Sequence, residues 1–161
     1  MDGLASVVST VVGDAPACQK RLPRLASRLL LDSPPMAANL WPRANQLALA
    51  SDDDLVGTYA EAAEKADDIS DRRSQNAAAR CILAIRKELQ SRGIQSERAL
   101  LPLLDHPHAG VRLWAARGVL EFDREPAEAT LTAIAESDKT LRGFTAQITL
   151  REWRAGRLPR R

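Results

Sequence analysis

The stretch Leu100-Leu-Pro-Leu-Leu-Asp-His-Pro-His-Ala-Gly-Val-Arg-Leu-Trp-Ala-Ala-Arg-Gly-Val-Leu120 decides the fold. It reads as the end of one helix, a tight turn, and a second helix folded back on the first. Asp105 and Pro107 stop the first helix, and Gly110 is expected to relax the backbone before the second. Val111, Ala115, Gly118 and Phe122 then recur at helical spacing, with small residues that let two helices approach closely.

The rest of the chain agrees with a helical reading. Hydrophobic residues make up 45% of the 161, but aromatics only 4%, so the apolar content is mostly Ala and Leu, both strong helix formers. Outside a short Val-rich segment over residues 7–12, the alternating β-branched runs that strands require are missing. The fold class expected is all-α, with about six helices over residues 51–158.

Outward from the central turn, each expected helix has its own start signal. Ser51-Asp-Asp-Asp54 places a capping hydroxyl first and a carboxylate three residues on, and three negative charges meet the positive end of the helix dipole. Leu55, Tyr59, Ala62, Ala66 and Ile69 form the stripe behind that cap. Ser70-Asp71 caps a helix to about Arg92 with Ala78, Cys81, Ile82, Ile85 and Leu89 inward, closed by a left-handed Gly93. Ser96 caps a short helix through Leu104 that turns Ala99, Leu100, Leu103 and Leu104 inward, with Pro102 as a kink. After the helix Val111 to Phe122, Asp123 caps one that buries Ala127, Leu131, Ile134 and Ala135, with Pro126 in its first turn. Ser137-Asp138 opens the last helix, which is expected to bury Leu141, Phe144 and Ile148, to carry Trp153 and to end at Gly156.

Residues 1–50 differ in kind, holding five of the nine prolines. They read as a loosely ordered extension with one helical stretch, Ala17 to Leu31, interrupted by Pro23. On it Arg21, Arg24 and Arg28 share a face beside Leu22, Leu25 and Leu29. A basic amphipathic segment of this kind suits a partner or a membrane surface, while a loose terminus is the commoner explanation.

Charge excludes a strongly basic binder. The net charge of +2 divides as +2, −2 and +2 over residues 1–50, 51–104 and 105–161, and no block concentrates the cations that a dedicated nucleic-acid protein uses. No apolar run reaches membrane-spanning length, no basic segment precedes the apolar start as in a secretory signal, Cys81 reads as a buried free thiol on an apolar helix face, and Cys18 falls in a weakly structured region. A cytoplasmic protein is expected.

Chemistry-bearing patterns are few. His106 and His108 with Cys81 and Asp105 fall short of a zinc set with paired ligands, so no metal is expected. The triple Asp is accounted for by its cap. Phosphate loops, nucleophile elbows and His-Glu-x-x-His are missing, so neither a catalytic residue nor a cofactor is expected. What stands out is tryptophan beside arginine: Arg112, Trp114 and Arg117, then Arg151, Trp153 and Arg154. These six are the candidate interaction surface, since Trp and Arg dominate binding hot spots. The competing account puts both tryptophans in the core with arginines on their edges.

Two resemblances bear on these residues. Asp105, then Val111-Arg112, Ala115-Ala116 and Leu120 resemble the turn of a HEAT repeat. That resemblance implies antiparallel helix pairs stacked as a short HEAT-like or armadillo-like solenoid, with Asp105 and Arg112 in polar ladders between repeats. More closely, residues 51–158 are similar to a small bacterial family catalogued as domain of unknown function two thousand and nineteen. The residues that carry this are Ser51 to Val56 with Tyr59, Leu101 to His106, Val111 to Ala116, Leu120-Glu-Phe-Asp123 and Leu150-Arg-Glu-Trp-Arg-Ala-Gly156. The family brings no activity with it. The expected function is a non-enzymatic module that binds another protein, as an adaptor or a toxin-immunity protein. The alternative is a nucleic-acid binder of the HEAT DNA-glycosylase type, using Trp114, Arg112 and Asp105.

Overall fold

The computed structural model describes residues 42 and 44–158. The expected helix over residues 17–31, Cys18 and the closing Pro-Arg-Arg over 159–161 lie outside the described residues. Among those described the secondary structure is entirely helical. The elements are α1 (Ala44–Leu47), α2 (Asp52–Asp67), α3 (Arg72–Arg92), α4 (Ile94–Arg98), a 3-10 turn (Leu101–Asp105), α5 (Ala109–Val119), α6 (Arg124–Ser137) and α7 (Leu141–Arg154).

Local chemistry sets most boundaries. At α2 the Ser51 hydroxyl accepts from the Asp54 N–H at 3.2 Å and donates to its carboxylate at 2.8 Å, so the cap satisfies one of the orphan donors of the first turn. At α3 the Asp71 carboxylate accepts from the Arg73 N–H at 3.0 Å. Gly93 closes α3 with φ of 106° and ψ of 178°, an extended left-handed conformation that glycine alone adopts cheaply, rather than the αL cap expected. At the end of α7, Gly156 has φ of 70°; its N–H reaches the Trp153 carbonyl at 2.9 Å, and the Arg157 N–H reaches that of Glu152 at 2.9 Å. This pair of bonds is a Schellman motif.

Several sequence expectations are corrected here. Helix α2 stops at Asp67, so Ile69 falls in the following turn, off the helical repeat and 81% exposed. Helix α4 starts directly after Gly93, which leaves Ser96 inside it rather than capping it. The residues after α4 tighten into a 3-10 turn with Pro102 near its start, so the proline never sits in a helix interior. Leu100, Leu103 and Leu104 are buried there, and Ala99 only half so. Helix α5 begins at Ala109, so Gly110 is helical and does not relax the turn. A Cβ at Gly110 would lie 2.8 Å from Asp67, so its lack of a side chain lets α5 approach the end of α2. Helix α7 is capped by Thr140, not by Ser137-Asp138.

The largest correction is the face of α7. Gly143, Ala146, Thr149, Leu150 and Trp153 point inward, whereas Leu141 and Phe144 are 69% and 58% exposed and Ile148 is half-buried. The reason is closeness. A Cβ at Gly143 would meet the Asp138 carbonyl oxygen at 1.8 Å, a separation that only a glycine permits. The small-residue face therefore turns inward, and the larger residues are carried out to the surface.

Helices α2 and α3 form one antiparallel hairpin and α6 and α7 another, with α5 between them, packed on α2, the 3-10 turn, α6 and α7. The core is mostly Ala and Leu, around Tyr59 and Trp153. Long-range polar contacts fasten the parts together. The Tyr59 hydroxyl donates to the Trp114 carbonyl at 2.8 Å, Arg86 pairs with Glu121 at 2.8 Å, and Arg142 of α7 reaches Asp67 of α2 at 2.6 Å. Ahead of Ser51 the chain is also held: Leu47 and Ala50 are buried, and Arg92 donates to the carbonyls of Leu47 and Ala50 at 2.8 Å each, as well as to Asp52.

Candidate interaction surface

The six tryptophan and arginine candidates sit on α5 and α7. Arg112 projects from the first turn of α5 and curls back to the loop, donating to the carbonyls of His106 at 2.7 Å and Pro107 at 2.9 Å. It thereby satisfies acceptors at the turn instead of pairing with Asp105. The two residues line one open recess of about 430 Å3 between the 3-10 turn and α6, together with Leu104, Thr130, Ile134 and Ser137.

Two residues further along α5, Trp114 is half-buried against the core, and the Arg117 guanidinium lies 5.0 Å from its ring centre. That spacing is a cation–π contact. On α7 the pairs are local. Arg151 meets Glu152 at 3.3 Å, and Arg154 reaches Glu128 of α6 at 3.8 Å. Arg157, beyond the helix end, also binds Glu152, and these guanidinium contacts hold the Glu152 carboxyl down to about 2. Trp153 is buried, at 5% exposure, and offers no surface. The structure thus brings Trp114 and Arg117 together, ties Arg112, Arg151 and Arg154 to partners nearby, and places Trp153 in the core.

Several of the other polar groups weighed from the sequence have structural partners. Asp52 pairs with Arg92 at 2.8 Å and Asp54 with Ser51, in keeping with a helix start. The His106 ring nitrogen Nδ1 accepts from the His108 N–H at 3.2 Å, and His108 Nε2 lies 3.9 Å from Asp67. Among the described residues no three His, Cys, Asp or Glu side chains converge as metal ligands. Cys81 is buried, and that burial pushes its thiol up to about 12, which makes it inert at neutral pH.

The feature missed from the sequence is the outer row of α7. Leu141, Phe144 and Ile148 lie at i, i+3 and i+7, one side of the helix, and none is fully covered. Their helical spacing is visible in the sequence but equally suits a core row. A signal existed in the competing row, Gly143, Ala146, Leu150 and Trp153, which runs at the same spacing and combines small residues with the one tryptophan of that helix.

No helix among the described residues is long and apolar enough to cross a membrane. Neither a curated protein nor a solved structure matches the chain. A family described as "Domain of unknown function (DUF2019)" matches residues 53–153, from the first turn of α2 to the buried tryptophan of α7. That span is well over half of the sequence, and the chain belongs to this family.

Proposed function

We propose that this protein is a non-enzymatic helical module of HEAT-like build that binds another protein in the cytoplasm, as an adaptor or a toxin-immunity protein does, and that it does so through the outer face of α7. The observation that carries the reading is the row of Leu141 and Phe144, 69% and 58% exposed, with Ile148 beside them on the last described helix. Single exposed apolar residues are ordinary, but a row at helical spacing offers a ridge for the groove or helix of a partner. Arg151 continues the row one turn on and supplies a polar rim. The HEAT-like part of the proposal draws on the two hairpins flanking α5, which would stand as neighbouring repeats of a short stack.

Nucleic-acid binding of the glycosylase type has less support. Arg112 is already committed to two loop carbonyls, and Arg117 lies over the Trp114 ring on which a base would have to stack.

Affinity capture from a lysate of the source organism tests the reading. The full chain, its Phe144→Glu variant and a Leu83→Glu variant are compared, Leu83 being an exposed apolar residue on α3. A protein held by the native chain and by Leu83→Glu but lost from Phe144→Glu supports the assignment. A protein retained equally by all three refutes it, as does the capture of none when the chain also carries Leu25→Glu in the basic segment over residues 17–31.

A further inference from the structure

We propose that residues 17–31 of the same chain dock in cis on the outer row of α7 and compete there with the partner. The idea rests on the α7 interface for its regulatory meaning, but the contact itself is separately testable. Three observations point to this occupant.

The first is matched spacing. Beyond Pro23, Leu25 and Leu29 stand four residues apart, as Phe144 and Ile148 do, so the two apolar pairs can face each other.

The second is charge. Arg21, Arg24 and Arg28 flank the leucines. On α6, Glu125 and Glu136 fall at i−3 and i+8 from Glu128, the residue that reaches across to Arg154 of α7. They therefore lie on the solvent-facing side of Glu128 on α6. Both are exposed, and neither is in an ion pair among the described residues. Exposed carboxylates beside an apolar row suit a segment that carries leucines between arginines.

The third is reach. The chain joins the described fold at α1, which Arg92 holds near the start of α2, while Arg142 at the start of α7 is bonded to Asp67 at the other end of α2. Sixteen helical residues separate those ends, roughly 24 Å. Residues 32–41 extend to roughly 33 Å, enough to cover that span. A tether of this length holds the segment at an effective concentration on the order of millimolar, well above what a second molecule reaches at ordinary protein concentrations.

Cys18 allows a direct test in the full chain, because the other cysteine, Cys81, is buried and unreactive. A nitroxide on Cys18 is expected to broaden the amide signals of residues 141–151, unchanged on dilution. Leu25→Glu is expected to abolish that broadening while leaving the spectrum of the folded part intact, and to increase the partner retained in the capture experiment. Unbroadened α7 signals overturn the proposal. So does broadening that persists in Leu25→Glu, or that arises only between labelled and unlabelled molecules, which would make a second copy the occupant. The two readings fail separately: loss of the nitroxide effect removes the cis contact and leaves capture by α7 standing, whereas capture indifferent to Phe144→Glu removes the interface and leaves the nitroxide effect standing.

Discussion

At the scale of single residues, two glycines inside helices show how context sets the sign of one substitution. Gly57 in α2 has open space where a Cβ would go, while a Cβ at Gly143 would sit 1.8 Å from a backbone oxygen. Gly57→Ala is expected to raise the unfolding free energy by about 0.5–1 kcal/mol, because alanine loses less backbone freedom on folding. Gly143→Ala is expected to lower it by about 3 kcal/mol or more, since the neighbour is backbone and cannot swing away. Urea denaturation of the two variants checks both signs. Caps such as Ser51 and Asp71 were legible in the sequence because their chemistry is complete within four residues. The closeness at Gly143 was not, because it depends on how the α6–α7 turn brings the Asp138 carbonyl back onto α7.

At the scale of elements, α7 has two rows at the same spacing, and the choice between them is a packing decision. Hydrophobicity alone favours Leu141, Phe144 and Ile148. The hairpin instead buries Gly143, Ala146, Leu150 and Trp153, because small residues bring α7 close to its neighbours and the tryptophan fills the remaining space. Trp153→Ala is therefore expected to cost about 3–5 kcal/mol, and Phe144→Ala no more than about 0.5 kcal/mol. Comparable losses for both in thermal or urea unfolding would show that the rows are exchanged. The stripes of α3 and α6 are legible in the sequence because each of those helices has one apolar row and no rival. In the sequence the 3-10 turn is indistinguishable from part of a longer helix because Leu100 to Leu104 has helical composition, and the effect of Pro102 on the hydrogen-bond pattern depends on where the turn begins.

At the scale of the whole molecule, polar contacts hold elements that are distant in sequence. Arg142 joins α7 to Asp67 of α2 and also binds Asp138. Hydrogen bonds from Thr140, and then Arg142, hold the Asp138 carboxyl down to about 2. A carboxyl depressed in the folded state binds fewer protons there than in the unfolded chain, where it titrates near 4. Its contribution is thus complete above about pH 4 and is lost as the pH falls through about 2. The denaturation midpoint is expected to drop over that range, and Asp138→Asn to flatten the drop in a urea series. The all-helical class was legible from composition and the family from its motifs, but how the hairpins meet depends on contacts such as Tyr59 with Trp114 that no local pattern announces.

Under the proposed function, the protein meets its partner along Leu141, Phe144 and Ile148. A photo-crosslinking residue placed at position 144 of the full chain, in cells of the source organism and with Leu25→Glu to free the row, tests it most directly, with position 83 as the comparison. A discrete heavier adduct is expected from position 144 and none from position 83. No adduct from position 144, or the same adduct from both positions, would contradict it.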